Sequence, residues 1–484
     1  VSILLILDNP KDWPLNIEGL EVISSRRYLT DPAFSERTPR RVFNLCKSYR
    51  YQTLGYYVSL LASARGHKAL PDITTIQDLK LPELVRVASE ELEDVIASSL
   101  ADEPGDEFTL SIYFGRNVEE RFNRLALAVF NQFPAPLLRA EFEKAAGTWR
   151  LGSVKTISAS DIPPEHFLDV LNFATQYFNR PHRRAKQEAS RYDLAILRDP
   201  GEPNPASDDK AIRRFVKAAE SMGIEAEVVT RDDYGRIAEF DALFIRDTTS
   251  VNSYTFRFAR RAAAEGLIVI DDPESIVRCS NKVYLAELLQ RHRITTPATL
   301  ILHRDNWESA PDILGLPLVL KQPDSAFSLG VVKVKSREEF QREVERLFKV
   351  SDLLIAQAFM PSEFDWRIGV IDKEPFFACK YFMAGGHWQI RDKDQAGDAA
   401  FGNTESWPVA AAPQDVVRAA VKAANLIGDG LYGVDVKEID GKAHVIEIND
   451  NPNIDAGHED KVLGDEAYAR VMRSFLRRLE ARGR

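Results

Sequence analysis

The sequence predicts a multidomain protein of mixed α/β and α+β class, and three observations carry that reading. The chain has 484 residues, which at roughly 150 residues per domain suggests about three domains. Hydrophobic residues make up 44% and charged residues 28%, the balance of a chain that buries cores and is not disordered throughout. The pattern of apolar residues also changes twice along the chain, dividing it near residues 185–190 and near residue 292.

The first block, residues 1–185, mixes helix and strand. Continuous apolar runs at 3–7 and 108–114 read as strands. Between them, Leu54, Val58 and Leu61 recur at helical spacing over 52–64, and Gly66 follows as a C-cap. A second helix is expected over 119–130, before Pro134 and Pro136. Residues 179–191 are polar and basic and read as a linker. From Tyr192 to about 292, strands at 192–197, 225–230, 242–245 and 267–270 alternate with helices at 208–221 and 254–265. That alternation predicts a small α/β domain with a parallel sheet. A helix over 280–291 leads out of it. Residues 293–484 read as hairpins with packed helices, an α+β arrangement. Strands are expected at 316–321, 330–334, 353–359, 366–371, 375–381, 432–439 and 443–448, and helices at 337–348, 414–427 and 465–479. The Asp440-Gly441-Lys442 turn between the last two strands is a strong hairpin signal.

Composition excludes several classes. Lys and Arg total 63 against 73 Asp and Glu, a net charge of −10, so a dedicated nucleic-acid binder is disfavoured. Cys46, Cys279 and Cys379 are too far apart for a disulfide framework or a Cys-based zinc motif, and fit buried thiols in a reducing compartment. No apolar run approaches the ~18–20 residues needed to span a bilayer, and 2–7 reads as a buried strand, not a signal peptide. The expected setting is cytoplasmic, without membrane or nucleic-acid partners. The general motifs for phosphate loops, zinc proteases and serine hydrolases are absent. One Gly-x-Gly-x-x-Gly string, Gly428 to Gly433, follows a helix and precedes a strand. This is the reverse of the dinucleotide-binding order, so it reads as a helix cap and turn.

The chemistry concentrates in the last hairpin. Glu447 and Asn449 alternate onto one face of a strand, and the Asp-Gly turn brings Asp435 toward them. Three oxygen-bearing side chains among Val and Ile are costly unless paired or bound to a cation. Hard oxygen donors of this kind suit Mg²⁺; an exposed polar face explains them equally well in isolation. Four cations in order, Lys282, Lys321, Arg367 and Lys380, add what a nucleoside triphosphate and its moving γ-phosphoryl charge require.

With these residues in view, 192–484 resembles an ATP-grasp ligase of the RimK type. The likeness rests on Ser280-Asn281-Lys282, Val319-Leu320-Lys321-Gln322-Pro323, Gln357-Ala358-Phe359, Phe364-Asp365-Trp366-Arg367, Ala378-Cys379-Lys380, Gly433-Val434-Asp435 and Glu447-Ile448-Asn449-Asp450-Asn451-Pro452. The resemblance implies a pre-ATP-grasp domain over 190–292 and an ATP-grasp fold over 293–484. Residues 1–185 are similar to the N-terminal domain of a RimK-like subgroup through Asn44 to Gln52 and Gly55-Tyr56-Tyr57. At matching positions the resemblance implies that ATP is held by Lys282, Lys321, Ser328, Gln357, Ala358 and Phe359. It implies Mg²⁺, with Mn²⁺ as an alternative, on Asp435, Glu447 and Asn449, and phosphoryl stabilisation by Arg367 and Lys380. Asn451 and Arg246 become substrate candidates.

The sequence departs from the family in the phosphate-covering loop, where 324–330 holds a single glycine. It also departs after Lys380, where 385–394 lacks RimK's basic loop. The implied reaction joins a carboxylate to an amine through an acyl phosphate, with glutamate or a related amino acid or peptide as substrate and a homo-oligomeric enzyme. A kinase using the same site and a non-catalytic nucleotide-binding scaffold are the alternatives. His387, His458 and the cluster Arg50, Tyr51 and Gln52 have bland structural readings beside any functional one.

Overall fold

The opening run Ser2–Leu7 is apolar at every position after the serine, and Leu4, Leu5 and Ile6 are fully buried, as expected for a central strand covered on both faces. In the computed structural model this strand, β1, pairs in parallel with β2 (Leu20–Ser24) on one side and β3 (Arg40–Asn44) on the other. β4 (Lys68–Leu70) extends the sheet beyond β3, giving the order β2-β1-β3-β4. The structure describes residues 2–13, 17, 19–35, 40–145, 147–178, 190–324, 330–383 and 403–482. The 179–189 part of the expected linker, Ser328 and His387, and the 385–394 segment lie outside the described residues.

The chain divides into two units: Val1–Asp193 with Val229–Asp241, and Leu194–Val228 with Ala242–Arg484. The first unit adds an antiparallel sheet, β5 (Glu107–Tyr113), β6 (Leu137–Ala145) and β7 (Thr148–Thr156). Its alternation is plain in β6, where Leu138, Ala140 and Phe142 are buried and Glu141 and Glu143 face outward. The helix expected at 119–130 begins later: a short turn at Glu120–Phe122 precedes the helix Asn123–Gln132.

A buried ionic knot ties 229–241 into this unit. Arg41 on β3 reaches Glu239 at 3.0 Å and Asp193 at 3.6 Å. Tyr177 donates to Glu239 at 2.6 Å, and Arg236 lies 3.6 Å from the same carboxylate. Arg41, Asp193, Arg236 and Glu239 are all buried.

The second unit contains three sheets. β10 (Ala242–Ile245) pairs in parallel with β8 (Tyr192–Leu197) and β11 (Ile268–Ile270), and β9 (Ile224–Val229) flanks β8. An antiparallel sheet follows in the order β12-β15-β13-β14, from Thr299–Leu302, Leu354–Ala358, Leu318–Lys321 and Val331–Val334. One face packs Leu318, Leu320 and Ala356 against Phe340 and Val344 of the helix Arg337–Leu347. The last sheet, β18-β17-β16-β19-β20, comprises Thr404–Trp407, Glu374–Phe382, Phe364–Ile371, Leu431–Ile439 and Lys442–Asn449. Its apolar face packs Trp366, Ile368, Val434 and Val436 against the helix Gln414–Ala424. Strand alternation then assigns Lys321 and Gln357, and Arg367 and Asp435, to the two faces these helices leave uncovered. Among the described residues no helix is long and apolar enough to cross a membrane.

Replacing Arg41 with Met would leave Glu239 and Asp193 buried with one cation fewer. Breaking a buried pair from one side costs about 3–5 kcal/mol, and chemical denaturation should register a loss of that order. A loss below about 1 kcal/mol, the range of an exposed pair, would show that the knot does not depend on Arg41.

Candidate active site

The final hairpin sets the site. Asp440 and Gly441 both adopt positive φ, at 49° and 71°, as a tight two-residue hairpin turn requires. The turn pairs Val436 with Val445, and a β-bulge at the next step then places Asp435 opposite Glu447 and Gly433 opposite Asn449. On the other side of β19, Arg367 of β16 lies directly opposite Asp435. Gly433 is needed here for space: a Cβ at this position would sit 2.7 Å from the Pro452 Cβ. Its absence lets the segment after β20 fold closely over the strand.

Each carboxylate is matched by a cation. Arg367 grips Asp435 in a two-point contact, Nε to Oδ1 at 2.7 Å and Nη2 to Oδ2 at 2.8 Å. Lys282 Nζ lies 3.0 Å from Glu447 Oε1. Asn449 Nδ2 is 3.3 Å from Asp435 Oδ2. Burial alone would raise the Glu447 carboxyl, but Lys282 and Lys321 more than offset it and hold it below the usual carboxylate range. Burial lowers Lys321 from its ordinary value, against the pull of Glu447. Loss of solvent works against the half-buried Arg367 charge too, yet Asp435 more than offsets it and raises the guanidinium well above its ordinary value.

Local sequence explains how Lys282 arrives. Asn281 caps the helix Lys282–Arg291, its side chain accepting from the Val283 and Tyr284 N–H groups. Asn281 also donates to Asp324 at 2.9 Å, and Lys282 N–H bonds the Pro323 carbonyl. The helix start is thereby fastened to the chain just after β13, which ends in Lys321. The helix expected at 280–291 thus begins two residues later, since Ser280 closes the preceding helix Pro273–Ser280.

A cavity of about 540 Å³ opens beside these residues, with Lys282, Lys321, Gln357 and Glu447 in its lining and Leu289 and Ile355 on its apolar walls. That volume lies in the ordinary range for small-ligand sites. Gln357 donates to Thr299 Oγ1 at 3.0 Å, and the Ala358 N–H bonds Ala298 O. Lys333 Nζ stands 3.4 Å from the centre of the Phe359 ring. Cations and hard oxygen donors in the lining of a cavity that also has apolar walls suit a polyphosphate with its divalent cation. Among the described residues no three His, Cys, Asp or Glu side chains gather at a metal site. The donor set is instead two carboxylates and the amide of Asn449, all oxygen ligands that fit Mg²⁺.

Other expected residues stand elsewhere. Lys380, expected to act on the phosphoryl group, pairs with Trp366 in register and so projects from the opposite face to Arg367. Its ammonium lies 4.4 Å from Phe364, 5.1 Å from Trp366 and 4.3 Å from Trp407, a cation held among ring faces. Strand parity is the reason, and it puts the next residue, Tyr381, on the site face. Arg246, a substrate candidate, is fully buried and already engaged. It donates to Ser207 Oγ, Asn451 Oδ1 and the carbonyls of Ala206 and Pro452. Asn451 in turn donates to the Asp247 carbonyl at 2.6 Å. Both side chains clamp the loop after β20, Arg246 fully buried and Asn451 half-buried.

Sequence reading also missed two groups on the site face. Asp365 pairs with Lys437 at 2.5 Å. Tyr381 lies with its ring 4.7 Å from the Arg367 guanidinium carbon, and its hydroxyl donates to Glu459. Alternation within β17 could have identified Tyr381; nothing local marks Glu459.

Residues 25–172 match the family model of the RimK-like ATP-grasp N-terminal domain, and residues 279–474 match that of the RimK-like ATP-grasp domain. A Shewanella amazonensis protein named probable alpha-L-glutamate ligase 2 is 26% identical over 264 residues, covering 50% of this chain and 84% of its own length. A Stutzerimonas stutzeri protein named probable alpha-L-glutamate ligase is 24% identical over 276 residues, covering 53% and 88%. The crystal structure of a RimK domain ATP-grasp protein from Sphaerobacter thermophilus aligns with a TM-score of 0.45 at 16% identity, covering 58% of this chain and 98% of that one. With both of its larger segments matched by models of one family, the chain belongs to the RimK-like ATP-grasp ligases.

Proposed function

We propose that the enzyme joins a carboxylate to an amine with ATP, through an acyl phosphate, and that glutamate is a substrate. The observation that carries this reading is the pairing of Lys282 with Glu447 in the cavity lining, beside the pair that Arg367 makes with Asp435 on the adjacent strands. The names of the relatives support glutamate. Lys282 and Lys321 bind the nucleotide phosphates, and the backbone of 357–359 holds adenine. Asp435, Glu447 and Asn449 hold Mg²⁺, which when bound draws negative charge off the phosphate oxygens. Arg367 turns its free edge to the transferred phosphoryl group and then to the acyl phosphate. Placing the carboxylate in line with the γ-phosphorus and spreading charge is most of the catalysis such a transfer needs.

The test is ADP release from Mg-ATP with L-glutamate and a pool of amino acids and short peptides, with mass spectrometry of the products. A new mass equal to acid plus amine less water, absent with Glu447→Ala, is expected. A product carrying only phosphate would replace the ligase by a kinase. Arg367→Met should lower kcat/KM about 10²–10³-fold, the scale of losing one charge-stabilising donor. Lys380→Met should change it less than about three-fold while lowering the melting temperature, because three rings lose their cation.

The two ion pairs also predict coupled binding. A dication alone must part Asp435 and Glu447 from their cations, whereas Mg²⁺ and ATP arriving together give each charge a new partner. Mn²⁺ binding followed by electron paramagnetic resonance should therefore tighten at least about ten-fold when a non-hydrolysable ATP analogue is present, within the usual span of coupling energies. Equal affinity with and without nucleotide would contradict it.

A further inference from the structure

The ligase reading leaves the amine's proton without a destination. An amino group arrives at neutral pH as an ammonium, and its lone pair is unusable until a proton is removed. We infer that Tyr381 takes that proton and that Glu459 draws it onward, making the pair the acceptor-side base of the reaction.

Geometry selects the pair. Tyr381 is half-buried on the face that carries Arg367 and Asp435, with its ring 4.7 Å from the Arg367 guanidinium carbon. Its hydroxyl donates to Glu459 Oε1. Glu459 is buried, and its other oxygen accepts the Asp455 N–H at 2.8 Å. The carboxylate is therefore fixed and out of solvent, with the phenol as one of its two hydrogen-bond partners among the described residues. Every other acid on this sheet face has a cation partner: Asp435 has Arg367, Glu447 has Lys282 and Asp365 has Lys437. Glu459 has a tyrosine.

The charged and titratable groups that bear on Glu459 come from each neighbouring element. They are Tyr381 and Cys379 on β17, Arg367 on β16, Asp455 on its own loop, and Arg246 at the end of β10. Burial, then Asp455, raises the Glu459 carboxyl above the usual carboxylate range, toward the pH at which a general base works best.

The inference rests on the acyl phosphate of the proposed reaction. The ammonium gives one proton to Tyr381 Oη as the phenol's own proton passes to Glu459. The freed nitrogen lone pair forms the C–N bond, and the carbon–oxygen bond to phosphate breaks with the electron pair leaving on phosphate. The nitrogen's second surplus proton leaves with the phosphate, and once product has left Glu459 passes its proton back through the Tyr381 hydroxyl to solvent. Tyr381 is thus the catalytic residue of the pair, and Glu459 is a positioning residue acting through it.

A change of nucleophile tests this. Hydroxylamine is largely unprotonated at neutral pH and captures an acyl phosphate as a hydroxamate without needing a base. L-glutamate, serving as both acid and amine, must shed a proton to give the dipeptide. Wild type, Glu459→Gln and Tyr381→Phe are compared with Mg-ATP and L-glutamate, with and without hydroxylamine. Glutamine keeps the bonds to Tyr381 and Asp455 but cannot accept a proton, and phenylalanine keeps the ring on Arg367. The expected result is a fall of about 10²-fold in the ratio of dipeptide to hydroxamate in both variants, the lower end of general-base effects. Dipeptide formation by Glu459→Gln should recover as pH rises and free amine appears. An equal loss of both products, or an unchanged ratio, overturns the proposal and leaves Glu459 a loop fastener. A wild type that yields neither product refutes the glutamate-ligase reading itself, and the inference with it.

Discussion

Two carboxylates facing each other on adjacent strands repel, and in a half-dry cleft that repulsion would drive a proton onto one of them. The whole site answers this constraint. β16 runs beside β19 so that Arg367 meets Asp435. The helix Lys282–Arg291 starts where it does because Asn281 anchors it to Asp324, which brings Lys282 to Glu447. Lys321 ends β13 close enough to pull Glu447 further down. Glu447 stays ionised, and a cluster poised to receive a highly charged ligand has each carboxylate matched by a cation before the ligand arrives.

The same sheet shows how strictly strand parity divides labour. On one face, Trp366, Ile368, Val434 and Val436 close a core with the helix Gln414–Ala424. On the other, Asp365, Arg367, Asp435 and Lys437 form two ion pairs in register. Lys380 belongs to the first face and is accommodated there by aromatic rings. A single residue step separates the two roles.

Much of this was legible in the sequence, and the exceptions have physical causes. The last hairpin is readable because Asp-Gly fixes a turn, but the β-bulge that brings Asp435 beside Glu447 is not, since the turn alone would face Asp435 with Ile446. The face that Lys380 takes is not legible, because a lysine among strand hydrophobics looks the same from either face until the partner strand is known. The burial of Arg246 is not legible either, because sequence cannot reveal that 206, 451 and 452 return to bond its donors. In the first unit, β2 and β4 are short, and their strand character comes from the neighbour they pair with more than from their own residues. Glu459 was invisible for a related reason: its partner lies seventy-eight positions earlier in the chain.

The placement of 229–241 bears on inheritance. The chain leaves the first unit at 193, returns for this short stretch, and leaves again at 241. Glu239 and Arg236 then sit in the first unit's buried charge knot with Arg41. Modules that join only at their ends can be exchanged by recombination at a single breakpoint. This pair cannot: a crossover near residue 190 would bring together an Arg41 and a Glu239 from different ancestors. The N-terminal block and the domain after it should therefore have descended together, with substitutions in β3 and in 229–241 constrained to change in step.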